Sequence, residues 1–171
     1  MNKESLKPII DKNSKILILG SMAGDRSLEN GEYYSNESNH FWDIICNVFD
    51  YKEELKTYND KIQFLKKYHI ALWDIYEQVE RNGSRDINIK NAKFNDLKSL
   101  LSQYDNIKLI LLNGKESEKA FISYIKNNNM ESFMNEQGIK YQYVSSSSGA
   151  NAIKIESKVE EWKNTININI K

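Results

Sequence analysis

The sequence predicts an α/β fold: a three-layer α/β/α arrangement around a central, mostly parallel four-stranded sheet. Three observations support it. Four short apolar runs, at residues 16–19, 70–73, 107–112 and 141–144, have the length and composition of buried strands. The segments between them carry apolar residues at helical spacing. The two kinds of segment also alternate along the chain, which pairs strands in parallel through crossover helices and covers both sheet faces.

Taken in order, Ile16-Leu17-Ile18-Leu19 is the first strand and empties into Gly20-Ser21-Met22-Ala23-Gly24. Phe41, Ile44, Ile45 and Val48 then fall at i, i+3, i+4 and i+7, one stripe of a helix. After the strand at 70–73, residues 83–91 read as a long surface loop. Phe94, Leu97, Leu100, Leu101 and Tyr104 make a second helical face. The most apolar strand, ending Leu109-Ile110-Leu111-Leu112, stops at Asn113-Gly114. Ala120, Phe121, Tyr124 and Ile125 form a third face, and Val159, Trp162 and Ile166 lie on a closing helix. No repeat, linker or composition shift marks a second unit, so one domain over residues 1–171 is expected.

Composition narrows the function classes. Of 171 residues, 40% are hydrophobic and 11% aromatic, as in a globular domain with a real core. Lys plus Arg and Asp plus Glu both number 24, so the net charge is zero. The strong basic bias of a general nucleic-acid binder is missing, and any DNA contact must use a local patch. One cysteine, Cys46, excludes an internal disulfide, and two unclustered histidines give no metal or Cys–His nucleophile site. No cofactor is expected. The N-terminus lacks a signal-peptide core and no apolar run reaches membrane-spanning length. A cytoplasmic monomer without a membrane partner is the expectation.

In an α/β sheet, ligands bind outside the carboxyl ends of the strands, so chemistry is sought in the segments that follow them. Gly20 and Gly24 permit a tight turn and close ligand approach, but no phosphate-loop spacing follows. Tyr33 and Tyr34 offer either stacking surfaces for bases or rings packed on the sheet edge. Asn39 precedes the Phe41 helix; it reads as an N-cap, or as an amide holding a water near the helix dipole. Asn113 reads as a turn residue, or as an amide matching the edge of a uracil or hypoxanthine ring. Ser145-Ser146-Ser147-Ser148-Gly149-Ala150-Asn151 reads as a flexible polar loop, or as one that presses backbone N–H groups onto phosphates.

Together these motifs resemble the uracil-DNA glycosylase superfamily, and within it the hypoxanthine (deoxyinosine) DNA glycosylase branch. The similarity runs through residues 15–24, Ser27-Leu28, Tyr33-Tyr34, Asn39-His40-Phe41-Trp42, Leu72-Trp73-Asp74-Ile75, Gly83-Ser84-Arg85-Asp86, Leu112-Asn113-Gly114-Lys115 and Ser146 to Ala152. The resemblance implies a monofunctional glycosylase that hydrolyses the N-glycosidic bond of a flipped hypoxanthine- or uracil-type base in DNA repair. By the same resemblance Asn39 directs the water, and Tyr34 stacks on the base. Asn113 reads the base edge, with Gly20 and Met22 in the base pocket. Ser146, Ser147, Ser148, Gly149, Ala150 and Asn151 hold the DNA backbone.

Met22 stands where most branches of the superfamily carry a water-directing Asn or Asp, which the hypoxanthine branch also lacks, and the chain departs from its relatives' motifs elsewhere. Asn36-Glu37-Ser38 replaces His-Pro-Arg, and Ala23, Ser145 and Gly149 replace prolines. Ala150 is too small for the apolar wedge of the mismatch enzymes, leaving Ile153 or Asn151 to substitute. Lys115, Lys119, Lys154 and Lys158 are expected to contact phosphates. The departures keep three other readings open: a glycosylase for a bulkier modified base such as phage-modified DNA, an inactive DNA-binding relative, and an unrelated enzyme of free nucleosides.

Overall fold

The computed structural model describes residues 2–170. Its central sheet holds β2 (Ile16–Gly20), β3 (Ile70–Asp74), β6 (Leu109–Asn113) and β7 (Lys140–Val144), all parallel, in the order β3-β2-β6-β7. These are the four runs read from the sequence, with ends moved by one or two residues. The register pairs Gly20 with Asp74 and Asn113 with Val144, so the four strands end at one common edge.

Period-two alternation sends neighbouring side chains to opposite faces. A short helix, α1 (Asp25–Asn30), follows β2; Ile16 and Ile18 point to one side, where α2 (Phe41–Val48), α3 (Tyr58–Lys67) and α7 (Ile155–Asn169) pack. Leu17 and Leu19 point to the other, against α4 (Leu97–Gln103), α5 (Lys115–Asn127) and α6 (Met130–Gln137). The stripes on α2 and α5 are buried at every expected position, and Trp162 anchors α7 with no exposure.

A second, antiparallel sheet joins β1 (Asn2–Glu4), β4 (Tyr76–Glu80) and β5 (Lys90–Phe94) in the order β1-β4-β5. It corrects two expectations. Phe94, read as the head of a helical face, ends β5 opposite Tyr76, with the two rings stacked at 5.6 Å. The α4 helix starts later because Asp96 caps it, accepting from the Ser99 amide at 3.1 Å. The expected loop 83–91 is shortened by β5, whose first four side chains are exposed and form no apolar pattern. What remains of that loop carries a one-turn helix at Asp86–Asn88 and folds back over the carboxyl edge of the main sheet.

Candidate active site

A cavity of about 450 Å³ opens at the carboxyl edge of the main sheet. Gly20, Asp74 and Asn113 reach it from strand ends, Tyr34 and Asn39 from the segment before α2, and Ser146, Ser147, Ser148 and Ala150 from the loop after β7. Residues scattered over more than a hundred positions meet because parallel strands present all their carboxyl ends together.

Tyr34 is held in left-handed backbone geometry (φ 53°), with its ring parallel to Phe41 at 4.0 Å. Phe41 is fully buried, so a stacking partner has only the opposite face of Tyr34. Burial pushes the hydroxyl far above the usual tyrosine range, so it keeps its proton. That oxygen accepts from Asn113 Nδ2 at 3.2 Å, and its own hydrogen finds no acceptor among the described residues. Asn113 also donates to Ser147 Oγ at 3.0 Å and accepts from the Ser147 amide at 2.9 Å. Both its amide hydrogens are engaged, leaving one lone pair on Oδ1. Reading a base edge through the Asn113 N–H groups therefore requires it to release Tyr34 or Ser147.

Asn39 is not the N-cap expected of it: His40 holds that position, and Asn39, one residue earlier, closes a local turn in which Oδ1 accepts from the Phe41 amide at 3.0 Å. Its Nδ2 makes no hydrogen bond among the described residues, Oδ1 keeps a second lone pair, and the residue lines the pocket. His40 donates its amide to the Ser147 carbonyl at 2.9 Å, and Asn39 forms a bridge with Ser148. The Asn39 segment and the loop after β7 are thereby stitched into one wall.

Gly20 and Asp74 form the floor. A Cβ on Gly20 would lie 2.6 Å from Asp74 Oδ1, so only glycine lets the carboxylate sit there. Asp74 is 3% exposed, and its Oδ2 accepts from the Ala23 amide at 3.0 Å. Below the turn, the buried Arg81 guanidinium donates to the Met22 and Ala23 carbonyls, and Ser21 donates to Asp86 at 2.7 Å. Met22 lines the pocket, 6% exposed, with an apolar side chain. The sequence reading did not pick out Asp74, Arg81 or Asp86 as site residues. The signal for Asp74 was its place at a strand's carboxyl end, inside the Leu-Trp-Asp-Ile motif.

The loop after β7 is braced rather than flexible. Ser145 is gripped by the Glu161 carboxylate, and its carbonyl accepts from Trp162 Nε1 at 3.0 Å. Lys158, expected on phosphates, is 1% exposed and donates to the Ser148 carbonyl at 3.2 Å and the Asn151 carbonyl at 3.4 Å. Ser147, expected to hold the DNA backbone, is fully buried with its side chain on Asn113. Asn151 donates to the Ser146 carbonyl and caps Ile153, so its side chain is not free to be a wedge. Gly149 and Ala150 stay at the exposed rim. Among the described residues, no three His, Cys, Asp or Glu side chains cluster as a metal site requires.

The family model described as the uracil DNA glycosylase superfamily matches residues 8–170. The chain belongs to the uracil DNA glycosylase superfamily. It is 32% identical over 162 residues to a hypoxanthine DNA glycosylase of Methanosarcina barkeri (strain Fusaro / DSM 804), covering 95% of this chain and 96% of the relative. A second hypoxanthine DNA glycosylase, from Methanosarcina acetivorans, is 30% identical over 163 residues, with 95% and 97% covered. The solution NMR structure of a candidate uracil DNA glycosylase from Methanosarcina acetivorans superposes with a TM-score of 0.78 at 29% identity, covering both chains fully. Against that superfamily background, two of the departures prove to be one contact. A Cβ on Gly149 would lie 2.1 Å from the Ser38 carbonyl oxygen, so the altered segment 36–38 packs directly on the altered loop. A proline ring at 149 would have no room.

Proposed function

We propose that this superfamily member is a monofunctional DNA glycosylase acting on a deaminated base of the hypoxanthine or uracil type. The observation that carries the reading is the shared wall of the pocket. One tyrosine face, a protonated hydroxyl, an Asn oxygen at a helix N-terminus and a braced loop converge on a cavity sized for a small ligand. A base stacked in DNA is out of reach, so the nucleotide is flipped out at a cost of a few kcal/mol. The free face of Tyr34 stacks on it, contributing roughly 1–3 kcal/mol. Asn113 reads the base edge, accepting a ring N–H through the lone pair left on its Oδ1 while its amide hydrogens stay on Tyr34 and Ser147.

As the glycosidic bond breaks, negative charge builds on the base, where fixed donors stabilise it most effectively. The second lone pair of Asn39 Oδ1 orients the water; an amide is too weak a base to deprotonate it. None of the residues lining the cavity is a lysine, which supports hydrolysis without a Schiff base or strand cleavage. DNA binding rests on local groups: exposed Arg85 at the mouth, with Lys115, Lys119 and Lys154 nearby in the chain segments that frame it. Ile87 at the rim is 80% exposed and Ile153 47%, and these take the wedge role that Ala150 is too small to fill. The protein acts as a monomer in the cytoplasm.

Asn39→Ala tests the reading. Base release from hypoxanthine-containing oligonucleotides should fall at least roughly 10²-fold while the fold is retained; full activity would remove Asn39 from the mechanism. A second reading, a glycosylase for a bulkier modified base, is favoured by the acidic segment 36–38 seated at the rim on Gly149. Release from modified phage DNA, with none from hypoxanthine or uracil DNA, would select it.

A further inference from the structure

The mechanism above leaves the buried carboxyl on the floor of the cavity without a task. Asp74 sits at the end of β3, with Oδ2 fixed by the Ala23 amide. Its other oxygen, Oδ1, makes no hydrogen bond among the described residues, lies over the Gly20 Cα, and borders the cavity. The Tyr34 hydroxyl is its neighbour across the same glycine. A buried carboxyl with one oxygen tethered and the other turned to a ligand cavity is built to hold or deliver a proton.

Resting on the glycosylase reading, we propose that Asp74 is a catalytic acid that protonates N7 of a departing purine, which makes hypoxanthine rather than uracil the preferred base. A purine leaves as a neutral molecule if N7 gains a proton while the bond from C1′ to N9 breaks. The electron pair of that bond stays with the base, and the proton comes from Asp74 Oδ1. Water held by Asn39 adds to C1′ and releases a proton to solvent. Asp74, now a carboxylate, is reprotonated from solvent before the next turnover. Uracil has no such ring nitrogen and gains nothing from the acid.

The surroundings favour the neutral form. Burial pushes the Asp74 carboxyl up to about 7; the Ala23 N–H opposes this, Asp86 adds to it, and the Arg81 guanidinium opposes it. Besides these charges, the hydroxyls of Tyr34 and Tyr33 are the titratable groups facing it, and both hold their protons. A substantial fraction of Asp74 is therefore protonated at neutral pH.

The test measures single-turnover base release from oligonucleotides carrying hypoxanthine or 7-deazahypoxanthine, for wild type and Asp74→Asn, from pH 5.5 to 9. The wild-type rate on hypoxanthine should fall about tenfold per pH unit above pH 7. Asp74→Asn should flatten that profile and lose roughly 10²-fold or more at pH 6. The hypoxanthine to 7-deazahypoxanthine rate ratio should shrink in the variant by a similar factor. Equal ratios in both proteins, or a profile that persists in Asp74→Asn and so belongs to another group, would overturn the proposal. If the variant fails to fold, judged by circular dichroism, a flat wild-type profile through pH 7 would overturn it alone. Absence of release from hypoxanthine, xanthine and uracil DNA alike would instead reject the glycosylase reading.

Discussion

Asp74→Asn should make the protein more stable, and increasingly so as pH rises. The carboxyl is 3% exposed and raised from an ordinary 3.8 to about 7. Between those values the folded state binds more protons than the unfolded chain, so wild-type stability falls as pH climbs from about 4 to about 7. At roughly 1.4 kcal/mol per pH unit, the accumulated loss at pH 8 is on the order of 4 kcal/mol. Asparagine keeps an oxygen for the Ala23 amide but carries no charge, so its stability lacks this slope. Its new NH2 group at the position of Oδ1 changes hydrogen bonding by ~1 kcal/mol, equally at every pH. Urea denaturation at pH 5 and pH 8 reads the difference: the variant should gain roughly 2–3 kcal/mol on wild type between the two. Parallel stability curves over that interval would show that Asp74 carries its charge freely and refute the reasoning. A stabilised but inactive variant is the signature of a group kept at a cost to stability because the reaction needs it.

Gly149→Ala places a methyl group 2.1 Å from the Ser38 carbonyl. It should cost roughly 1–3 kcal/mol in thermal denaturation, and an unchanged melting point would refute the contact. Ile87→Ala, at a side chain 80% exposed, should leave stability within about 0.5 kcal/mol. It should slow base release from duplex more than from single-stranded DNA; equal slowing on both would exclude a wedge. Lys158→Met removes the donor to Ser148 and Asn151, so amide exchange across residues 149–151 should accelerate, whereas unchanged exchange would show the loop braced by other means.

The main sheet was readable because parallel strands buried on both faces must be apolar runs, as Leu109-Ile110-Leu111-Leu112 is. The antiparallel sheet left no clear signal, because β4 buries Tyr76 and Val79 three residues apart, across a register shift in its pairing with β5, and so lacks a strand's period of two. Its partner β5 has no apolar signature and exists by pairing alone, which put Phe94 on a helix in the sequence reading. Tyr34, Asn39 and Asn113 were legible because they adjoin strand ends or a helix start, places that topology brings together. Lys158 was misread because a lysine on an amphipathic helix is normally solvated; its burial depends on carbonyls of a loop packed across it. The contact of Gly149 with Ser38 joins segments over a hundred residues apart, and each looks like an independent departure until they are seen to touch.

The most direct measurement is detection of free base after incubating the wild-type protein with a hypoxanthine-containing oligonucleotide. The expected result is free hypoxanthine and an otherwise intact strand that breaks only on alkali treatment at the abasic position. Absence of free base, or strand breakage without alkali, would contradict a monofunctional hypoxanthine glycosylase.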